Sequence, residues 1–291
     1  MDKINVLSLN ARGLNSPQKR ASVLDLLHRK NIHFAFIQES HFQEANTHRF
    51  SNKHYEVTAS SCFTKKSKGV LIAIRRNLHY INLGAGGSGD GRITYCKIVY
   101  NGIKIALICV YAPNNFEKPF FDSLESILLD LSEYPLLIGG DFNAVRLHQE
   151  DRTGVNESYD QKLASRALQK MTNDFNLIDS WRLMNPSSRV FSYYSPRHKT
   201  FSRIDYIFVS KSLFQLICET DMIPFPLSDH RAVSCSLEVK TRQTRASRWR
   251  FNTTLLQKDD FKNELKQELD FFININKPSV EDPRILWEAV K

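Results

Sequence analysis

Apolar residues fall into short runs along most of the chain, separated by polar and turn-forming clusters. Ile4 to Leu9 reads as a buried strand, and Pro17 stands where a helix over about Gln18 to Arg29 can begin. Further strands are expected at Ile32 to Gln38, Gly69 to Arg75, Thr94 to Tyr100 and Lys104 to Tyr111. The last two are joined by Asn101-Gly102, the strongest short hairpin signal, and so form an antiparallel pair. Helices are expected over Glu117 to Leu131 and Gln161 to Asn173, with strands at Leu136 to Gly139, Val190 to Tyr194, Arg203 to Val209 and Ala232 to Val239. Many strands and few helices predict an α/β fold in which two packed sheets are flanked by helices. Gly84 to Gly91 is rich in glycine but leads into no helix, so a flexible turn is expected rather than a phosphate loop. Arg146 to Tyr159 is long and polar enough for a binding loop.

After Val239 the pattern changes. Lys240 to Arg250 carries basic residues and no acid, and Phe261, Leu265, Leu269 and Phe272 then mark one face of a helix starting near Asp259. Residues 239–291 therefore read as a basic linker with accessory helices behind a domain spanning 1–238. The pattern Ile285-Leu286-Trp287 opens a helix near the last residue, which suggests a polypeptide that normally continues.

Composition adds a partner class. Forty Lys and Arg against 31 Asp and Glu give a formal charge of +9 over 291 residues, which favours a polyanion through counterion release. The five cysteines are widely spaced and never form Cys-x-x-Cys, as expected of reduced core thiols. No signal peptide is visible and no apolar run approaches the ~20 residues of a membrane span, so a soluble, monomeric domain without a membrane partner is expected.

The candidate chemistry lies at the ends of the apolar runs. Asp141 and Asn143, two residues apart on an extended strand end, can reach one cleft while Phe142 turns into the core. Asp141 is then a candidate general base or water-orienting group, and Asn143 a neutral donor to a phosphate; a plain turn is the competing reading. Glu39 ends the run Phe34-Ala35-Phe36-Ile37 and suits a hard cation such as Mg²⁺. Asp205 interrupts the run Ile204 to Val209, where an unpaired carboxylate is costly, and His230 is a suitable partner. That couple can stabilise charge on a phosphate or serve as a structural hydrogen bond.

Asn10, Gln38-Glu39, Tyr111-Ala112-Pro113, Gly140-Asp141-Phe142-Asn143, Arg203-Ile204-Asp205-Tyr206 and Ser228-Asp229-His230 stand in an order that resembles the endonuclease/exonuclease/phosphatase superfamily, over residues 1 to about 238. The resemblance implies a DNase I-like four-layer α/β sandwich and Mg²⁺-dependent phosphodiester cleavage, with Mn²⁺ as an alternative ion. By position it implies that Glu39 binds the metal with Asp229 near it, that Asp141 and Asn143 handle water and phosphate, that Asn10 and Tyr111 make active-site contacts, and that Asp205 and His230 act as a pair. One departure matters: Asn10-Ala11-Arg12 stands where apurinic endonucleases have Asn-x-Asp. Arg12 cannot bind Mg²⁺ but can meet a phosphate, and abasic-site repair becomes a less fitting role.

Leu9 to Pro17, Leu177 to Pro186 and Trp249-Arg250-Phe251-Asn252 look like the amino-terminal endonuclease of LINE-type non-LTR retrotransposons. This implies nicking of double-stranded chromosomal DNA in the nucleus, giving a 3′-hydroxyl that primes reverse transcription of element RNA by the rest of a parent protein. Tyr193-Tyr194 and Phe201 flank a basic tip, Pro196-Arg197-His198-Lys199, that can enter a DNA groove. Ser192 and Ser202 at the base of that hairpin, with Arg203 and Ser228, complete the expected DNA contacts. The rival readings are a phosphatase or sphingomyelinase acting on small phosphoesters, and a decayed nuclease that only binds nucleic acid.

Overall fold

In the computed structural model, residues 2–65, 67–154, 157–239 and 253–277 are described. The chain divides into two compact units, Met1–Arg242 and Gln243–Lys291. In the second, α6 (Asp259–Asn276) carries no buried residue. The basic stretch 240–250 and the helical pattern near Trp287 lie outside the described residues.

Within the first unit, β1 (Asp2–Asn10) pairs in parallel with β2 (Phe34–Gln38) across α1 (Pro17–Arg29). Ser16 caps that helix by accepting the Lys19 N–H, and Pro17 takes a first-turn position where its missing donor costs nothing. The two-residue period of β1 decides its packing. Ile4 and Val6 face the other sheet, while Leu7 and Leu9 face Val23, Leu24 and Leu27 of α1. β3 (Tyr55–Ser61) and β4 (Val70–Arg75) extend the sheet on one side, and β13 (Ile217–Ile223) and β14 (Ala232–Val239) on the other, in the order β13-β14-β1-β2-β4-β3.

The second sheet has the order β5-β6-β7-β8-β12-β9, from β5 (Tyr80–Gly87), β6 (Ile93–Tyr100), β7 (Ile103–Tyr111), β8 (Leu136–Asp141), β9 (Leu177–Asp179) and β12 (Asp205–Ser210). Its outer face packs Ile108, Ile138, Tyr206 and Phe208 against α2 (Lys118–Asp130) and α4 (Tyr159–Asp174). Its inner face packs Leu107, Leu137, Ile207 and Val209 against the first sheet. The result is the expected four-layer sandwich. At Gly139 a Cβ would run into the Phe36 ring of the facing sheet, so only glycine fits there. All five cysteines are free thiols, and no described helix is long and apolar enough to cross a membrane.

Several local expectations change. Only residues 88–91 of the glycine-rich segment lie in the expected turn; its first half belongs to edge strand β5, where Gly86 leaves room for the Tyr95 ring. The long polar loop contains a helical turn, α3 (His148–Asp151). A hairpin of β10 (Tyr193–Ser195) and β11 (Thr200–Ser202) projects as a separate two-stranded sheet, after the short helix α5 (Ser180–Met184). β12 starts at Asp205 rather than Arg203 because the Arg203 N–H goes to the Asp151 carbonyl and the Ile204 N–H to the Ser192 hydroxyl, not to a neighbouring strand.

Candidate active site

The same alternation that builds the core gathers polar side chains at one end of it. Val6 and Ser8 lead to Asn10; Phe34 and Phe36 to Gln38; Leu107 and Cys109 to Tyr111; Leu137 to Asp141; and Asp205 starts the row of Ile207 and Val209. Each polar residue has the parity that points between the sheets, at the end where the strands finish or, for β12, begin. Far-separated stretches of chain thereby converge.

Asn10 is their junction. Its Nδ2 donates to Glu39 Oε1 and to Asp141 Oδ2, both at 2.9 Å, and its Oδ1 accepts the Arg12 N–H at 3.0 Å. The backbone bends sharply around this point: Arg12, Glu39, His41 and Asn143 all have left-handed φ, between 47° and 56°. Such conformations cost about 1–3 kcal/mol each and persist where the surroundings hold them. Asn143 is held by its N–H on Asp141 Oδ1 and its Nδ2 on the Ala112 carbonyl, both 2.9 Å. It reaches the cleft through a turn, not along an extended strand, because β8 ends at Asp141.

His230 lies between two carboxylates. Its Nδ1 is 2.8 Å from Asp205 Oδ2, and its Nε2 is 3.9 Å from Asp141 Oδ2. Burial disfavours the imidazolium, but Asp205 and Asp141 outweigh it and hold the His230 pKa well above the usual histidine range. Burial, reinforced by Asp205, pushes the Asp141 carboxyl up. For Glu39 burial also pushes upward, but hydrogen bonds with His41, Asn10 and Tyr111 prevail and bring it down to about 2. One carboxylate of the site is thus fixed as an anion while another is tuned toward neutral pH. Tyr193 covers the imidazole, its ring centroid 4.7 Å from that of His230.

These groups open onto a cavity of about 520 Å³ lined by Arg12, Glu39, Tyr111, Asp141, Asn143, Asp229 and His230. Ser202, Arg197 and His198 of the hairpin region line it as well, and Lys199 is exposed at the tip without lining it. Asn10 and Asp205 lie buried behind the lining residues.

Two expected DNA contacts, Arg203 and Ser192, are corrected by burial, and a third, Ser228, is engaged within the fold. Arg203 is fully buried, its guanidinium held by Asp151 at 2.9 Å and Asp179 at 2.7 Å, so it has no access to a ligand. Ser192 is buried too, its oxygen accepting the N–H groups of Ile204 and Asp205. Ser228 does not line the cavity; its hydroxyl donates to the Asn10 carbonyl and accepts the His230 N–H. The cavity also recruits Arg152, Asn114 and Asn115, which sequence reasoning did not single out. Arg152 sits in the polar loop, aligned by its bridge to Ser202, and the two asparagines directly follow Tyr111-Ala112-Pro113.

Residues 4–230 match the Endonuclease/Exonuclease/phosphatase family. The chain belongs to that family. A relative within reach of sequence comparison is the transposon TX1 uncharacterized 149 kDa protein of Xenopus laevis, 27% identical over 268 residues, which are 90% of this chain and 20% of that protein. The chain therefore spans about a fifth of that relative's length. The fold is that of the AP endonuclease LMAP from Leishmania major, at a TM-score of 0.69 and 16% identity over 82% of this chain and 88% of that one. It is shared with the endonuclease domain of TRAS1, a telomere-specific non-LTR retrotransposon, at a TM-score of 0.61 and 16% identity over 81% and 99% of the two chains.

The endonuclease/exonuclease/phosphatase family is divalent-metal dependent, and the donor set here suits a hard cation. Glu39 offers an ionised carboxylate to the cavity, and Asp229 is a second carboxylate on its wall. Asp141, Asp205 and His230 also bring one ligand atom each within 4.8 Å of one another. There, Asp205 Oδ2 already lies 2.8 Å from Nδ1, and the two carboxylates favour the charged form of the imidazole.

Proposed function

We propose that this chain is a cation-dependent endonuclease that nicks double-stranded DNA, leaving a 3′-hydroxyl from which a parent retrotransposon protein primes reverse transcription of its RNA. The single observation that carries the reading is the Asn10 amide bridging Glu39 and Asp141 beneath a cavity walled by a basic hairpin. One amide thus ties a cation ligand to a proton acceptor at the spot where a phosphate can enter.

Glu39 would hold Mg²⁺ or Mn²⁺, which when bound neutralises phosphate charge and favours departure of the leaving oxygen. Asp141, raised toward neutral pH by burial and by Asp205, is poised to take the proton of an attacking water. Asn143, locked by two hydrogen bonds, orients that water or the phosphate at little entropic cost. The imidazolium of His230, kept charged by Asp205, faces the cavity and stabilises negative charge that grows on the phosphoryl oxygens. Tyr111 orients Glu39 through their hydrogen bond. Arg12, Arg197, His198 and Ser202 surround the phosphate path.

Supercoiled plasmid incubated with Mg²⁺ should become nicked, the new ends should carry 3′-hydroxyl groups, and Asp141→Ala should stop the reaction without unfolding the protein. Wild-type-like nicking by Asp141→Ala would defeat the assigned roles. Faster turnover of an inositol phosphate than of plasmid would redirect the reading to small phosphoesters.

A further inference from the structure

We propose that Arg12 couples cation binding to DNA binding, by engaging Asp229 until a DNA phosphate claims its guanidinium. The inference rests on the reading of the cleft as a cation-dependent DNA-cutting site. The Arg12 backbone is fixed: its N–H donates to Asn10 Oδ1 at 3.0 Å, and its carbonyl accepts from Lys19 Nζ at 3.0 Å. The backbone that carries this side chain is therefore anchored to the same asparagine that joins Glu39 to Asp141. From there one guanidinium nitrogen reaches Asp229 Oδ2 at 3.2 Å, and both side chains line the cavity.

The geometry of this pair suits exchange. Arg12 is 65% exposed and Asp229 36%, and a single contact at that exposure is worth about 0–1 kcal/mol. That sets the resting partner of Asp229 without locking it. A phosphate offers the guanidinium two parallel charge-assisted bonds in place of one, and displaces the carboxylate. Charge gives the exchange its direction. Lys19 lies within electrostatic reach of Arg12, Asp229 and Glu39, so two cationic and two anionic side chains share this rim. A cation approaching Glu39 meets Lys19 within electrostatic reach and an Asp229 already engaged by Arg12. Once a phosphate neutralises Arg12, Asp229 is free to add its charge to that of Glu39. By linkage, each ligand then tightens the other to the same degree.

The test uses the full chain and reads binding, not cleavage. Mn²⁺ affinity is measured by electron paramagnetic resonance without DNA, and duplex affinity by anisotropy in EDTA. Arg12→Gln should tighten Mn²⁺ binding and weaken duplex binding, each by about fivefold, the low end of usual coupling strengths. Adding Asp229→Asn to Arg12→Gln should abolish the gain for Mn²⁺. Unchanged or weaker Mn²⁺ binding by Arg12→Gln, a gain that survives in the double variant, or undiminished duplex affinity would each overturn the coupling. A residue of merely structural importance would lower both affinities together. Failure of the wild type to nick, with these opposite shifts intact, would sink the catalytic reading and leave the coupling standing.

Discussion

Two sets of charges lie buried side by side in this protein and behave oppositely. In the first, Arg203 and Arg182 face Asp151 and Asp179 at 2.7–2.9 Å, beneath the β10–β11 hairpin. In the second, His230 stands between Asp205 and Asp141. The first balances two cations against two anions, and guanidinium does not give up its proton at any pH a protein meets. Its geometry is therefore a lock, which fixes α3 and the base of the hairpin. The second sets two carboxylates against one imidazole, so one negative charge is left over, and burial pushes the Asp141 carboxyl upward. Similar burial gives rigidity where the cation is permanent and a movable proton where it can titrate.

The largest difference between the two should appear on truncation. Asp141→Asn keeps the shape of the side chain but removes the proton acceptor, leaves one oxygen to accept from Asn10 or from Asn143 but not both, and should lower single-turnover nicking by roughly 10²- to 10⁴-fold while the protein stays folded. Arg203→Met should do the reverse. Leaving Asp151 and Asp179 without that partner costs about 3 kcal/mol in urea denaturation, while nicking per folded molecule stays within a few-fold of wild type. Equal losses of activity from both variants would erase the distinction between lock and reaction centre.

How far the sequence disclosed these sets follows from the same physics. Asp205 and His230 were legible because a carboxylate inside the run Ile204 to Val209 demands a partner. Asp179 in Leu177-Ile178-Asp179 carries the same signal, and reading it would have claimed Arg203 for the interior. The basic hairpin next to Arg203 instead suggested DNA. Asp151 was out of reach, since its segment has no apolar period and takes its place through bonds to distant groups, Asp151 to Arg203 and Arg182 and Thr153 to Phe201. Strands β3, β5 and β13 were missed for a related reason: they pack at sheet edges, where polar residues and glycine break the alternation. The strand-end positions of Asn10, Gln38 and Asp141, by contrast, follow directly from the parity of the core rows they terminate.

A smaller effect sharpens the titrating side. His230 has a pKa raised above its unfolded-state value, so its pairing stabilises the fold fully below that unfolded value and ceases to do so as pH rises through the folded one. Asp205→Asn removes the partner at Nδ1 and should lower the His230 titration midpoint, seen by NMR of ring-labelled protein. The stability gap to wild type should be widest in mildly acid solution, at about 1.4 kcal/mol per unit of midpoint shift, and close toward alkaline pH. A midpoint that stays in place would assign the raised value to the other carboxylates, Asp141 and Asp229.

The smallest expected effects lie on the hairpin that the buried lock supports. Arg197 lines the cavity, whereas Lys199 is exposed at the tip. If Arg203 and Asp151 hold the hairpin rigidly, these two charges act at different places on DNA. Arg197→Ala should reduce the salt dependence of duplex binding by about one phosphate contact. Lys199→Ala should leave binding and rate within about twofold of wild type, since one peripheral phosphate contact is weak, but redistribute the nicks among sites, because a charge at a groove edge biases which sequences deform to meet it. Mapping nick positions on one plasmid with both variants separates these effects. An unchanged map with Lys199→Ala would confine recognition to the cavity, and a changed map that Arg203→Met reproduces would show that the lock, and not the charge it supports, sets the choice of site.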